Sequence, residues 1–448
     1  MELTFDTSTH RRHRRCNAAN VYISIYIRRS IAINFSARRP VLCVHVTVEL
    51  FCGVMLLLRG ACRKASRLTQ PWSRFLTTAP VDAALRRSVD TFTVPSFTLQ
   101  SGYVLRDVRL VYASYGDPRA PLILHPTSFD AKHEELEYAV GPGRALDTRR
   151  YRVVVPNMLG NGLSSSPSTH ATRGAFPLVT VADNVQLQAR SLFAAPLSSG
   201  FPYVLTLTRT LSSRQRRLLS HLNVCSVELV YGYSMGAMQA LHWAALYPGV
   251  VKRVLASCGR ASCGEYGAVF LEGLLAVLTS GCDFGAHEDG FLEEGPRLCK
   301  QLAAFGRVYA GWGLPAEWYR AQLWRQHGAH ASLEDFLQRS WEAWTANADA
   351  NDLRAMLRTW RAASLAHAAA CSESQALGSI TARVVYMSSP GDSYFPLEEI
   401  EAEAKLIPDA RVVPLTREWG HRAGDPYRSG QENDRELMRH TVQELLQT

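Results

Sequence analysis

From about residue 90 onward the apolar positions follow two periods. TFTVPSFTL (91–99) and VLRDVRLVYASYG (104–116) alternate apolar and polar side chains, the period of strands with one covered face, and are expected to pair antiparallel. PLILHPTS (121–128), YRVVVPNMLG (151–160), VELVYGYS (227–234), VKRVLASCG (251–259) and ARVVYMSSPGD (382–392) are short continuous apolar runs, each closed by Gly, Pro, Ser or Asp; ARVVPLTREWGH (410–421) is a further strand. Runs apolar on both faces belong to strands covered on both sides. Helical patterns separate most of them, so the fold class expected is α/β with a mainly parallel sheet. One gap between strands is long: from Ala261 to about Ser379 the chain is helical and rich in aromatics, which reads as a cap inserted between two strands. The divisions that follow are a core of 89–261, a helical cap of 262–378 and a second part of the core at 379–448.

Two stretches break this pattern. Residues 1–88 form an N-terminal extension whose first 54 residues show no helical or strand period. From Met55 the composition becomes rich in Arg, Ser and Thr, with no acid until Asp82, as in a mitochondrial transit peptide. The expectation is translation from Met55 and a mitochondrial destination, with the cytoplasm as the alternative. A membrane anchor at Val41–Leu58 is the rival, but His45 and Glu49 interrupt that run. The second stretch is 189–215, where Pro196, Gly200 and Pro202 deny a helix. Joining Gln188 to Arg216 restores one amphipathic helix, so the segment reads as an insertion or a retained intron.

Charge changes the picture little. The net +9 resides in the front segment: residues 1–81 hold 13 of the 49 Lys and Arg against three acids (Glu2, Asp6, Glu49), leaving the folded body nearly neutral. Nucleic acid is not an expected partner, and neither is a stable membrane association. The 10 cysteines include no C-x-x-C pair, and no metal-ligand spacing such as H-E-x-x-H occurs, so neither metal nor cofactor is expected. Cys258 and Cys263 read as packing thiols.

The candidate chemistry lies where strands end. Ser234 stands in Gly232-Tyr233-Ser234-Met235-Gly236, between a strand and a helix. The G-x-S-x-G turn holds a serine in a strained conformation, and its glycines let strand and helix pack closely. A serine hydroxyl needs a base and the base needs an orienting carboxylate. His421 and Asp392 also follow strands, at the C-terminal edge where such sheets carry reactive groups. The expected triad is therefore Ser234, Asp392 and His421, with the oxyanion hole made by the backbone N–H groups of Met235 and Thr127. His125, His133 and His242 lack evident carboxylate partners and read as packing residues. The cap's Trp312, Trp318, Trp324, Trp341, Trp344 and Trp360 read as helix packing, or as an aromatic wall excluding water from an acyl pocket.

Three blocks, GPGRALDTRRYRVVVPNMLGNGLSSSPS (141–168), VYGYSMGAMQALHWAALYP (230–248) and ITARVVYMSSPGDSYFPLEE (380–399), resemble the homoserine O-acetyltransferases, a branch of the α/β-hydrolase fold. The likeness runs over roughly 90–445, apart from 189–215. It implies ping-pong transfer of an acyl group from a thioester such as acyl-CoA, through an acyl-Ser234, to a hydroxyl acceptor deprotonated by His421. It also admits a homodimer. Three residues depart from the resemblance. Arg422 follows the histidine where those enzymes usually carry aspartate, and Tyr233 and Ala237 replace the second and last glycines of G-G-S-M-G-G, which here reads G-Y-S-M-G-A. A cation at 422 disfavours an ammonium-bearing acceptor and is expected to bind substrate. The expected function is therefore a serine O-acyltransferase; the alternatives are a serine esterase or thioesterase on the same scaffold and a non-catalytic binding protein.

Overall fold

The computed structural model describes residues 87–192, 226–281 and 287–447. The expected transit segment and residues 193–215 of the expected insertion lie outside the described residues. Eight strands form one sheet in the order β1-β2-β4-β3-β5-β6-β7-β8. They are β1 (Arg87–Thr98), β2 (Val104–Tyr115), β3 (Leu122–Leu124), β4 (Arg152–Pro156), β5 (Leu229–Tyr233), β6 (Arg253–Ser257), β7 (Arg383–Ser388) and β8 (Ala410–Pro414). The β1–β2 and β2–β4 pairs are antiparallel, and every pair from β4 through β3 to β8 is parallel. The strand expected at 91–99 begins earlier, because Arg87 to Asp90 stay in register with Tyr115 to Tyr112.

The apolar runs lie in the middle of the sheet for the reason that made them legible. Every residue of β3 and β4 is buried, as are Leu229–Gly232 of β5. Each Val or Leu side chain removed from water there contributes about 1.5–3 kcal/mol. Two helices flank the serine. Helix α1 (Val181–Leu192) is capped reciprocally: the Asp183 carboxylate accepts from the Thr180 N–H at 2.8 Å, and the Thr180 hydroxyl accepts from the Asp183 N–H at 3.1 Å. Helix α2 (Met235–Leu246) is buried on all sides. The two are joined by polar contacts in the core, where Gln188 accepts from the Trp243 indole and donates to Gln239.

Helix α1 corrects one expectation. The segment 189–215 was expected not to extend this helix's apolar face, yet α1 continues through Ala189 to Leu192, and Ala189, Ser191 and Leu192 are buried. Ala189 to Leu192 contain no helix breaker, and Pro196 is the first in the sequence after them.

Between β6 and β7 the chain forms the cap. Its longest helices are α3 (Glu265–Thr279), α4 (Pro296–Gly313) and α5 (Ala350–Arg361), with shorter turns between them, including one π turn at Leu337–Glu342. The cap is anchored where it leaves the sheet. Buried Glu403 accepts from the Ala261 N–H at 2.9 Å, from Arg260 and from the Tyr386 hydroxyl. No helix among the described residues is long and apolar enough to cross a membrane.

Candidate active site

Strand β5 ends at Tyr233 and α2 begins at Met235, so Ser234 alone makes the turn. Its backbone lies at φ 56°, ψ −122°, a conformation costly for a non-glycine residue. The surroundings enforce it: the Ser234 N–H donates to the Ser257 carbonyl on β6 at 2.9 Å, and α2 packs directly against β5. Two glycines make that packing feasible. A Cβ on Gly232 would stand 2.0 Å from the Gly236 carbonyl oxygen, and one on Gly236 would stand 2.6 Å from the Pro126 carbonyl oxygen. Neither obstacle is a flexible side chain. Gly232→Ala is therefore expected to destabilise the fold by more than about 3 kcal/mol, read as a loss of soluble protein or a large drop in Tm. A Tm within two degrees of wild type would show that the elbow can spread.

Asp392 follows β7, and His421 lies in a 3₁₀ turn (Gly420–Gly424) after β8. Both converge on the serine. His421 Nδ1 is 2.8 Å from Asp392 Oδ2, and His421 Nε2 is 3.1 Å from Ser234 Oγ. The other carboxylate oxygen, Oδ1, accepts from the backbone N–H groups of Tyr394 (2.8 Å) and Phe395 (3.2 Å). The carboxylate is thus fixed at both oxygens. It orders the imidazole with Nδ1 as donor, which leaves Nε2 to accept from the serine hydroxyl. All three side chains are buried, and the His421 ring is enclosed by Tyr233 (centroids 5.0 Å), Tyr394 (4.7 Å) and Phe395 (5.8 Å). Tyr394 and Phe395 are invisible as site residues in the sequence, except that they stand two and three positions after the aspartate.

The oxyanion expectation needs one correction. The Met235 N–H lies in the first turn of α2, where a helix leaves its donors free. The Thr127 N–H, by contrast, donates to the Pro156 carbonyl at 3.2 Å. The parallel ladder between β3 and β4 simply runs on past the strand ends, through His125 N–H to Val154 and then Thr127 N–H to Pro156. Thr127 is therefore not the free donor expected. The next amide, Ser128 N–H, has no acceptor among the described residues. Its loop lies against the elbow, since the Thr127 carbonyl accepts from Gln239 of α2 at 2.8 Å.

Arg422 sits next to the histidine, as its place in the sequence requires, but it is not a bare cation. Its guanidinium is 3.3 Å from Asp425 Oδ2 and 5.5 Å from the Trp341 ring centroid, and Arg428 shares the same Asp425 at 3.2 Å. Burial is the largest influence and opposes the charge, but Asp425 together with Tyr233, Tyr427 and Tyr309 outweighs it, holding Arg422 above its ordinary range.

The remaining candidates separate cleanly. His125 and His242 are buried, each bonded through Nδ1 to a backbone carbonyl, and burial lowers both to about 4, so both are neutral packing residues. His133 departs from expectation, for it does have a carboxylate partner, Glu134 at 3.1 Å. Cys258 also proves closer to the chemistry than a packing thiol: its sulfur lies within 4.8 Å of ligand atoms of both Asp392 and His421. That trio does not make a metal centre, because the imidazole and carboxylate are engaged with each other and burial, then Asp392, pushes the thiol up, keeping it protonated. Of the six cap tryptophans, Trp360 contacts Tyr394 and Phe395, and Trp312, Trp341 and Trp344 join the same aromatic cluster. Trp318 packs instead on Phe336 and Trp419. Trp324 has the Arg325 guanidinium over its ring.

Comparison with known proteins agrees with the architecture of the sheet and its helices. A family model described as alpha/beta hydrolase fold matches residues 121–278. The chain is 28% identical over 330 residues to the ethyl acetate hydrolase of Pseudomonas veronii, covering 72% of this chain and 86% of that one. It is 27% identical over 383 residues to the homoserine O-acetyltransferase of Pasteurella multocida, covering 75% and 94%. Among solved structures, the acetyl esterase MekB superposes with a TM-score of 0.70 at 25% identity, covering 81% of this chain and 97% of that one. The homoserine O-acetyltransferase of Bacillus anthracis superposes at 0.62 with 19% identity, over 81% and 98%, a likeness of fold.

Proposed function

The chain is a homoserine O-acetyltransferase-like member of the α/β-hydrolase fold, and from that premise we propose that it is a serine enzyme that cleaves short acyl esters, acetyl esters first, through an acyl-Ser234 intermediate. The observation that carries the reading is the unbroken hydrogen-bonded line from Asp392 through His421 to Ser234. His421 Nε2 takes the hydroxyl proton as Ser234 Oγ bonds to the ester carbonyl carbon. The oxyanion is received by the N–H groups of Met235 and Ser128. Collapse breaks the bond to the leaving alkoxide, which departs with the proton held by His421. Water then gives a proton to His421 as its oxygen bonds to the acyl carbon; collapse breaks the acyl–Oγ bond, His421 returns the proton to Ser234 Oγ, and the carboxylic acid leaves. General base action of this kind contributes about 10²–10⁴-fold, and each oxyanion donor about 3–4 kcal/mol.

A short acyl group is supported by the aromatic packing around His421, where Tyr394 and Phe395 themselves touch Trp360. Hydrolysis is supported by the relatives named as ethyl acetate hydrolase and acetyl esterase, both matched over most of their length. Transfer from acyl-CoA to an alcohol is the second reading, supported by the relatives named homoserine O-acetyltransferase. Against homoserine itself stands Arg422, a cation beside His421. The test incubates the protein with ethyl acetate and, separately, with acetyl-CoA, each with and without alcohols. Acetate release that alcohols leave unchanged supports hydrolysis; alcohol-dependent release of CoA with an O-acetyl product replaces that reading with transfer.

A related result is expected of Arg422→Asp. The exchange sets a second carboxylate near Asp425 and removes one of the two cations paired with it, leaving two carboxylates against Arg428 and so a place for an ammonium. Amine-bearing esters or acceptors should gain about tenfold in kcat/KM relative to neutral ones. An unchanged preference would mean that this side chain does not face the substrate.

A further inference from the structure

The turn that carries the Ser128 N–H is tied to the cap. Ser128 to Ala131 form a β-turn, closed by the Ala131 N–H donating to the Ser128 carbonyl at 3.2 Å. Its third residue, Asp130, lies at φ 55°, where glycine or asparagine is the usual choice. Aspartate holds that place with its side chain engaged: Asp130 Oδ2 accepts from the Trp344 indole N–H at 2.8 Å. The neighbouring Phe129 enters the cap's aromatic cluster, with ring centroids 5.7 Å from Tyr309, 6.2 Å from Trp360 and 6.4 Å from Trp344. Trp344 follows the π turn at Leu337–Glu342, whose Trp341 faces Arg422 at 5.5 Å. A π turn commonly marks a functional place in a helix. One short piece of cap therefore contacts the turn beside the nucleophile and the residue after His421.

We propose that Trp344 and Asp130 are positioning residues, their hydrogen bond being the contact through which the cap fixes the Ser128 amide toward the oxyanion. The inference rests on the acyl-serine reading of the site. A preorganised donor acts on the transition state, so loosening it lowers kcat without weakening substrate binding. A contact that merely holds the cap on would instead lower stability, or raise KM through a displaced aromatic wall.

The experiment uses the full chain with p-nitrophenyl acetate as substrate and a fluorophosphonate as probe of the serine. Trp344→Phe keeps the ring and removes the donor. Asp130→Gly removes the acceptor while suiting the backbone at φ 55°, so it remains informative if the tryptophan variant folds poorly. Each should lower kcat and the phosphonylation rate about tenfold, with KM within about twofold of wild type. The double variant should be no slower than either single one, as expected of two ends of one contact. Asp130→Asn, which keeps an acceptor oxygen and tolerates positive φ, should restore at least half of the wild-type kcat. Trp344→Phe and Asp130→Gly both within twofold of wild type, losses that multiply in the double variant, or an effect confined to KM would each overturn the proposal. Ser234→Ala, run alongside, separates the two levels: if it retains turnover, the acyl-serine reading itself fails.

Discussion

Ser234→Ala is expected to lower turnover of acetyl esters by at least about three orders of magnitude and to abolish fluorophosphonate labelling, with Tm essentially unchanged. The magnitude follows from what the substitution removes. Without Oγ there is no atom to bond the acyl carbon, and His421 Nε2, 3.1 Å away, loses the proton it is placed to take. What survives is the pocket and its backbone donors, which still stabilise attack by water. The fold should tolerate the change because the strained φ of 56° is imposed by the elbow rather than by the hydroxyl. Alanine pays the same backbone strain as serine, and Oγ makes no hydrogen bond other than that to His421 among the described residues. Kinetics with a purified variant, checked by labelling and a melting curve, decide the matter. More than a tenth of wild-type activity would remove Ser234 from the chemistry.

How much of this was legible in the sequence depended on the range of the interactions concerned. The sheet could be read because β3 to β7 are buried on both faces and therefore continuous in apolar residues. Ser234, Asp392 and His421 could be singled out because each follows such a run; that they stand within hydrogen-bond reach is a fact of three dimensions. The free amide of the loop after β3 was placed one residue early, at Thr127. Whether the ladder stops at Leu124 or carries on to Thr127 depends on where β4 ends, and no local pattern around residue 127 encodes that. Arg422 was read as a cation facing the acceptor without its partner; the 3₁₀ turn at Gly420–Gly424 brings it within 3.3 Å of Asp425, three residues on. Helix α1 runs four residues past Gln188 because Ala189 to Leu192 hold no breaker and three of them are buried, whereas Pro196, Gly200 and Pro202 come later in the segment. Asp130 and Trp344 are separated by 214 positions, and nothing in either neighbourhood announces the other. Tertiary pairs of that kind are where sequence reading ends and the fold must be seen.

Asp392→Asn is expected to lower kcat by about 10³–10⁴-fold with little change in KM or Tm. The argument turns on which end of the amide faces the histidine. Oδ1 of Asp392 accepts two backbone N–H groups, those of Tyr394 and Phe395. An asparagine must put its carbonyl oxygen there, because an amide nitrogen would meet two donors. Its NH₂ then lies where Oδ2 was, 2.8 Å from His421 Nδ1, and donates to it. That bond stabilises the tautomer with the proton on Nε2, so the nitrogen facing Ser234 becomes a donor and cannot take the hydroxyl proton. The site keeps its shape and loses its base. Two measurements separate this from mere disruption. Activity should rise with pH more steeply in the variant than in the wild type, as hydroxide substitutes for the missing base. Asp392→Ala, which leaves Nδ1 without any partner and the tautomer free, should be no worse than Asp392→Asn. If alanine proves much the poorer of the two, the carboxylate acts chiefly by holding the Tyr394–Phe395 turn in place, and the tautomer argument is wrong.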